Sequence, residues 1–252
     1  MFEVAPDLAV LLVLAAFLAG FVDSIAGGGG LITLPALLLA GASPVEALST
    51  NKVQGTFGAA TAAISYARGG HVDPGRQAGA AGLAFLAGAG GALAVSLVPT
   101  SGLRLILPVI LIGIALFFAL KPGLTDDDRT ARISPAMFSA GIVPLIGFYD
   151  GLIGPGAGAF YMIGFVLLAG YGVLRATAHT KLLNLASNLG GLAVFAAQGA
   201  PWWAMGLAMG AAQIVGARIG ARLAMRIGAR VIKPLLVLSS TVLAIRLVWQ
   251  ML

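Results

Sequence analysis

The 252-residue chain contains no cysteine, only two histidines and only 10% charged residues. The missing cysteines exclude disulfides, thiolate metal sites and a cysteine nucleophile together. His71 and His179 are too few for a histidine-built metal centre, so neither a metal nor another cofactor is expected. Scarce charge is matched by abundant apolar sequence, 59% of the chain with a mean hydropathy of +1.00, which cannot make a water-exposed globular surface. The sequence pI of 10.2 suggests nucleic acid at first sight. The basic residues, however, sit mostly in short connections between apolar stretches, as in membrane loops, and no nucleic-acid partner is expected.

Those stretches fall at 8–26, 31–41, 53–67, 78–98, 102–120, 135–154, 158–174, 182–199, 201–225 and 231–252. Several match the ~20 residues that a helical span needs, and none alternates as a barrel strand would. The predicted fold is an all-α polytopic membrane protein with the lipid bilayer as its surroundings. The first stretch has no preceding basic residue and no small-residue cleavage site, so it is expected to remain in the mature protein.

What the chain does contain, it contains twice. GFVDSIAGGGGLITLPALLLAG at 20–41 is answered by GFYDGLIGPGAGAFYMIGFVLLAG at 147–170. Asp23 falls on Asp150 and Gly27 on Gly154; after a two-residue slip, Gly41 falls on Gly170, Ala47 on Ala176 and Lys52 on Lys181. The expected organisation is a first repeat over 1–120, a cytoplasmic linker at 121–134 and a second repeat over 135–252, each repeat with about five helical segments. The 67–77 connection is basic while its counterpart near 197–201 is uncharged; 98–103 is uncharged while its counterpart at 218–233 carries Arg218, Arg222, Arg226, Arg230 and Lys233. This exchange predicts an inverted repeat with both termini outside.

The second segment of each half is too short to cross. Residues 31–41 rise about 16 Å as a helix, half a hydrocarbon core, and Gly27, Gly28, Gly29 and Gly30 before them make a poor helix interior. Segments one and two therefore predict a helical hairpin whose Gly-rich turn lies near the midplane, lining a cavity or buried in protein, with Pro35 unsettling the returning helix. Close helix packing through small residues is the plainer alternative.

Asp23 and Asp150 lie inside apolar segments, where an ionised carboxylate costs about 3 kcal/mol by insertion scales. A cation, turn N–H groups or a proton would each compensate, which leaves a structural cap and a proton-coupling role both open. The following segment of each half has a polar face: Asn51, Gln54, Gly55, Gly58, Thr61 and Ser65 in one, Thr177, Thr180, Lys181, Asn184, Ser187 and Asn188 in the other. Lys52 and Lys181 are the candidate anion counter-charges, with snorkelling to an interface as the alternative. His179, which stands where the first half has Thr50, is a further proton-transfer candidate. Glu46 and Arg175 are expected at helix entries as capping or interface charges.

DSIAGGGGLITLPAL, SPVEALSTNKVQG, GFYDGLIGPGAGAFY, ATAHTKLLN, SNLGGL and GARIGARL together resemble the sulfite exporter TauE/SafE family of bacterial membrane transporters, specifically its YfcA-like branch. The resemblance covers about 7–250 and implies an inner-membrane permease for small sulfur-containing or other small organic anions. It places the glycine motif at Gly27–Gly30 with Pro35, and the motif after it at Thr50, Asn51, Lys52 and Gln54. The second half departs: Gly154, Gly156 and Gly158 alternate with Pro155 and Ala157, and Gly164 replaces the later proline.

The expectation is alternating access, with the glycine turns, Asn51, Lys52, Gln54, Thr180, Lys181, Asn184 and Asn188 replacing an anion's hydration shell, and Asp23, Asp150 or His179 carrying a coupling proton. A passive anion channel is the nearest alternative. An intramembrane hydrolase using Ser24 or Ser187 with His179 is distant, since no Gly-x-Ser-x-Gly elbow occurs. A homo-oligomer is left open.

Overall fold

The computed structural model describes residues 3–97 and 125–235, with 237, 238 and 241 beyond them. The described residues form helices and connections, with no strand among them. The helices are α1 (Pro6–Ala26), α2 (Gly30–Leu39), α3 (Pro44–Arg68), α4 (Pro74–Ala94), α5 (Pro135–Leu152), α6 (Ala157–Leu167), α7 (Val173–Ala197) and α8 (Trp203–Ile227). The expected segment at 102–120 lies outside the described residues, as do the start of the linker and most of 231–252. The protein is all-helical, and α1, α4, α5 and α8 are each long and apolar enough to cross a membrane.

The local chemistry explains the boundaries. Ser43 accepts from the Glu46 N–H while the Glu46 carboxylate accepts from the Ser43 N–H, a reciprocal cap at the start of α3 followed by Pro44 in its first turn. Asp73 caps α4 through the Gly75 and Arg76 N–H groups. Helices α3 and α7 begin well before the apolar stretches that announced them at 53–67 and 182–199. Their first halves are polar because those side chains are buried against hairpin partners, Asn51 and Gln54 on Thr33, Lys52 and Asn184 on Asp150 and Lys181 on Asp23, which hydropathy scores as a connection. Helix α2 runs on through Pro35 instead of ending there. Backbone groups freed by proline are tolerated where neighbouring protein surrounds them. The first turns of α5 contain a π-helical segment, Phe138–Ile142.

Packing is organised around two hairpins, α1–α2 and α5–α6, each lying against its own long polar helix, α3 or α7. The next helix of each half crosses over. Helix α4 packs on α5 and α7 of the second half, and α8 packs on α1 and α3 of the first. These contacts are made through glycine. A Cβ on Gly20 would lie 2.7 Å from the Gln213 carbonyl oxygen, and Cβ atoms on Gly216 and Gly220 would run into the Phe17 and Phe21 carbonyls. The second half repeats the device with Gly91 against Phe148 and Gly151 against Gly88.

One end of the bundle gathers the basic connections. The linker pairs with the α6–α7 connection through Arg129 N–H to Gly170 O and Arg132 N–H to Leu168 O, and Asp126 accepts from Leu174 and Ala229 N–H. Gly69 of the 67–77 connection packs on Met225 near the end of α8. At the other end, Glu3 caps α8 by accepting from Ala204 and Met205 N–H.

Candidate substrate site

The two glycine turns meet. Gly27 and Gly28 have φ of +78° and +100°, and Gly154 and Gly156 have +88° and +87°, conformations that side chains resist. A Cβ on Gly27 would lie 2.9 Å from the backbone of Gly158 and Ala159, so the turns touch backbone to backbone. The short helices α2 and α6 start at this contact.

Around it the two acids and two lysines pair crosswise. Lys52 Nζ lies 2.7 Å from Asp150 Oδ1 with both side chains essentially sealed from the surface, at 1% and 2% exposure. Lys181 Nζ lies 3.1 Å from Asp23 Oδ2, the lysine fully buried and the aspartate 16% exposed. Each lysine thus answers the acid of the other half, and neither snorkels.

Asp150 is the more heavily held. Besides Lys52, its carboxylate accepts from Asn184 Nδ2 at 2.9 Å, from Asn188 Nδ2 at 3.4 Å and from Ser187 Oγ. Asp23 accepts from Lys181 and from the Gly29 N–H at 3.0 Å. On the first half's side, Asn51 Oδ1 accepts from Thr33 Oγ1 and from Gln54 Nε2, each at 2.7 Å, and Gln54 Oε1 accepts from Gln213 Nε2. These groups enclose a cavity of about 30 Å³ lined by Asp23, Gly28–Gly30, Asn51, Gln54, Asp150, Gly154, Gly156, Gly158, Asn184, Asn188 and Gln213. That is room for water and not for an organic anion.

The structure therefore gathers most of the residues singled out from the sequence. Thr180 is buried nearby but does not line the cavity, and its Oγ1 has no partner among the described residues. His179 stands apart. Its ring packs against Tyr171 at 4.9 Å and Phe165 at 5.5 Å, with the Arg175 guanidinium 4.0 Å above Tyr171. It lines a separate cavity of about 1080 Å³ beside the linker, with His71, Gln77, Phe138 and Arg175. In the linker itself, partial burial of Asp128 opposes ionisation, but the Gly172 N–H and Arg175 prevail and hold its carboxyl below the usual range.

Gln213 escaped the sequence reading. It is the sole uncharged polar side chain long enough to reach inward between Trp203 and Gly216, and that isolation in an apolar helix is the signal that would have found it. Thr33 is its equivalent in α2.

Comparison with known proteins shows the family. A family model described as sulfite exporter TauE/SafE matches residues 12–247. The chain belongs to the sulfite exporter TauE/SafE family. It is 53% identical to the probable membrane transporter protein ORF9 of Sinorhizobium sp over 97% of this chain and 94% of that one. It is 44% identical to the probable membrane transporter protein YfcA of Escherichia coli K12, covering 99% and 93%. A probable membrane transporter protein of Haemophilus influenzae is 37% identical, covering 98% and 97%. No solved structure matches. Membership in this TauE/SafE family of membrane transporters makes the chain a multi-pass membrane protein with a transporter's architecture.

Proposed function

We propose that the chain is a secondary transporter of small anions, such as sulfite, sulfonates and small carboxylates, working by alternating access in the bacterial inner membrane. The observation that carries this reading is the crossed pairing of Lys52 with Asp150 and Lys181 with Asp23 beside two opposed glycine turns. An arriving anion offers each ammonium the same kind of partner as the carboxylate it already holds. It can take that place without leaving a buried charge uncompensated, provided the displaced acid is neutralised. The starts of α2 and α6 line the same cavity, where the positive ends of the helices favour an anion.

The closed cavity favours alternating access over a passive channel, because the hairpins must separate before an anion fits. The crossed packing of α4 and α8 and the gathering of basic connections at one end support an inverted repeat, with those connections in the cytoplasm and the N-terminus outside.

The test is a thermal-unfolding screen of purified protein against sulfite, methanesulfonate, sulfoacetate and acetate, followed by counter-flow in proteoliposomes for whichever stabilises. A binder raises apparent stability by linkage. Stabilisation by none of these anions, with no counter-flow, would overturn the reading.

A further inference from the structure

We infer that Asp23 takes up one proton with each monoanion bound, while Asp150 stays ionised throughout, so that transport of a monoanion is electroneutral. This rests on the anion-transport reading and assigns the coupling step within it.

The two acids are equivalent in sequence but not in surroundings, and the difference is written in α3 and α7. Counting from Lys52 and Lys181, the second half carries Asn184, Ser187 and Asn188 where the first carries Gly55, Gly58 and Ala59. All three second-half side chains donate to Asp150, which with Lys52 makes four side-chain donors on one buried carboxylate. Protonation there would turn acceptor positions into a donor facing donors. The first half offers Asp23 no such set. The room at Gly58 is filled by Gln213, whose amide donates to Gln54 instead. Asp23 keeps the Gly29 N–H on Oδ1, and among the described residues Lys181 is the donor to Oδ2. It is also the more accessible of the two, at 16% exposure against 2%.

Charge balance fixes the rest. The empty site holds two ammoniums and two carboxylates and is neutral. A monoanion entering beside Lys181 would leave it with one excess negative charge in a low-dielectric interior, and a proton on Asp23 from the adjoining water removes that excess. Lys181 then pairs with the anion, and the neutral Asp23 hydroxyl can donate a hydrogen bond. Release reverses both events. Among the described groups around Asp23, the other carboxylate is Asp150, whose acceptor positions are already taken by four side-chain donors. From α7 comes Lys181; from α3 come Lys52, engaged by Asp150, and Tyr66, which donates to Ser24 O; from α5 comes Asp150. Tyr161 of α6 donates to Val143 O, α2 carries no titratable side chain, and the arginines of α8 are exposed.

Calorimetric titration of wild-type protein with methanesulfonate, a fixed monoanion, in buffers of different ionisation enthalpy counts the protons taken up on binding. The expected result is one proton per anion in wild type, loss of that uptake in Asp23→Asn with binding at alkaline pH strengthened, and uptake retained in Lys52→Met with Asp150→Asn, the pair whose joint removal keeps the site neutral. Should Asp23→Asn fail to fold, Asp23→Glu is to keep the uptake with a displaced pH midpoint. In proteoliposomes, wild-type methanesulfonate flux is to follow an imposed pH gradient and ignore an imposed voltage. Binding without proton uptake, uptake that persists in Asp23→Asn or vanishes in Lys52→Met with Asp150→Asn, an unmoved midpoint in Asp23→Glu, or voltage-driven flux each overturns the assignment. Absence of any methanesulfonate binding by wild type overturns the anion site itself and, with it, this step.

Discussion

Lys52 and Asp150 lie 98 residues apart in sequence and 2.7 Å apart in space, joining the polar helix of the first half to the hairpin of the second. A pair so fully buried is held as a unit: removing one partner strands the other, while removing both can be nearly neutral. Lys52→Met should lower stability by about 3–5 kcal/mol, and Lys52→Met with Asp150→Asn should recover most of it. Unfolding in detergent measures both. Additive losses would mean the residues do not stabilise each other.

Anion affinity should depend on the other lysine. Lys181→Met keeps volume and deletes the charge; if Lys181 supplies even ~1.4 kcal/mol to a bound anion, affinity falls by about tenfold. Binding of methanesulfonate to the purified variant checks this, and unchanged affinity would remove Lys181 from the substrate's partners.

The helix contacts predict which glycines tolerate a methyl group. Gly151→Ala and Gly91→Ala press into backbone carbonyls of the facing helix and should unfold the protein or part α4 from α5. Gly79→Ala and Gly82→Ala, on the same α4, meet nothing within 4 Å and should be neutral to within about 1 kcal/mol. Melting temperatures of the four variants compare them directly.

At the linker end, acid should loosen the connection. The folded-state pKa of Asp128 is depressed, so its contribution is fully present above the unfolded value and is lost as pH falls through the folded one. Thermal stability should therefore drop on acidification through the carboxylate range, and Asp128→Asn should remove that component of the drop. Because Asp128 is about half exposed, the effect should be modest and weakened by salt.

Topology can be tested on single cysteines, since the natural chain has none. Cysteines at Arg76, Arg129 and Arg230 should label from the cytoplasm and one at Gly199 from outside. Labelling of positions 199 and 230 from the same side would refute the orientation.

Much of this architecture is legible in the sequence because membranes punish exceptions. A carboxylate or a glycine run inside apolar sequence has few explanations, and finding both twice located the hairpins, Asp23 and Asp150 correctly. Aligning the halves, however, sets lysine on lysine and acid on acid, whereas the structure pairs lysine with acid across them. That relation is tertiary and leaves no local pattern. The pairing of Gln213 with Gln54 was hidden for the same reason, the two lying 159 positions apart. His179 drew notice for its chemistry and proved to sit in an aromatic cluster outside the glycine-lined cavity, a placement that spacing along α7 does not encode.

The crossing of α4 and α8 bears on how the protein is made. Asp23 is synthesised 158 residues before Lys181, and the glycine face of α1 waits longer still for α8. At roughly 5–20 residues per second, the nascent first half spends on the order of ten seconds or more in or beside the bilayer with its acid unanswered and α4 without the helices it will pack against. Neither half can mature alone, and a ribosome that stalls in the linker leaves behind a fragment whose buried charges have no counterpart, a natural substrate for membrane quality control.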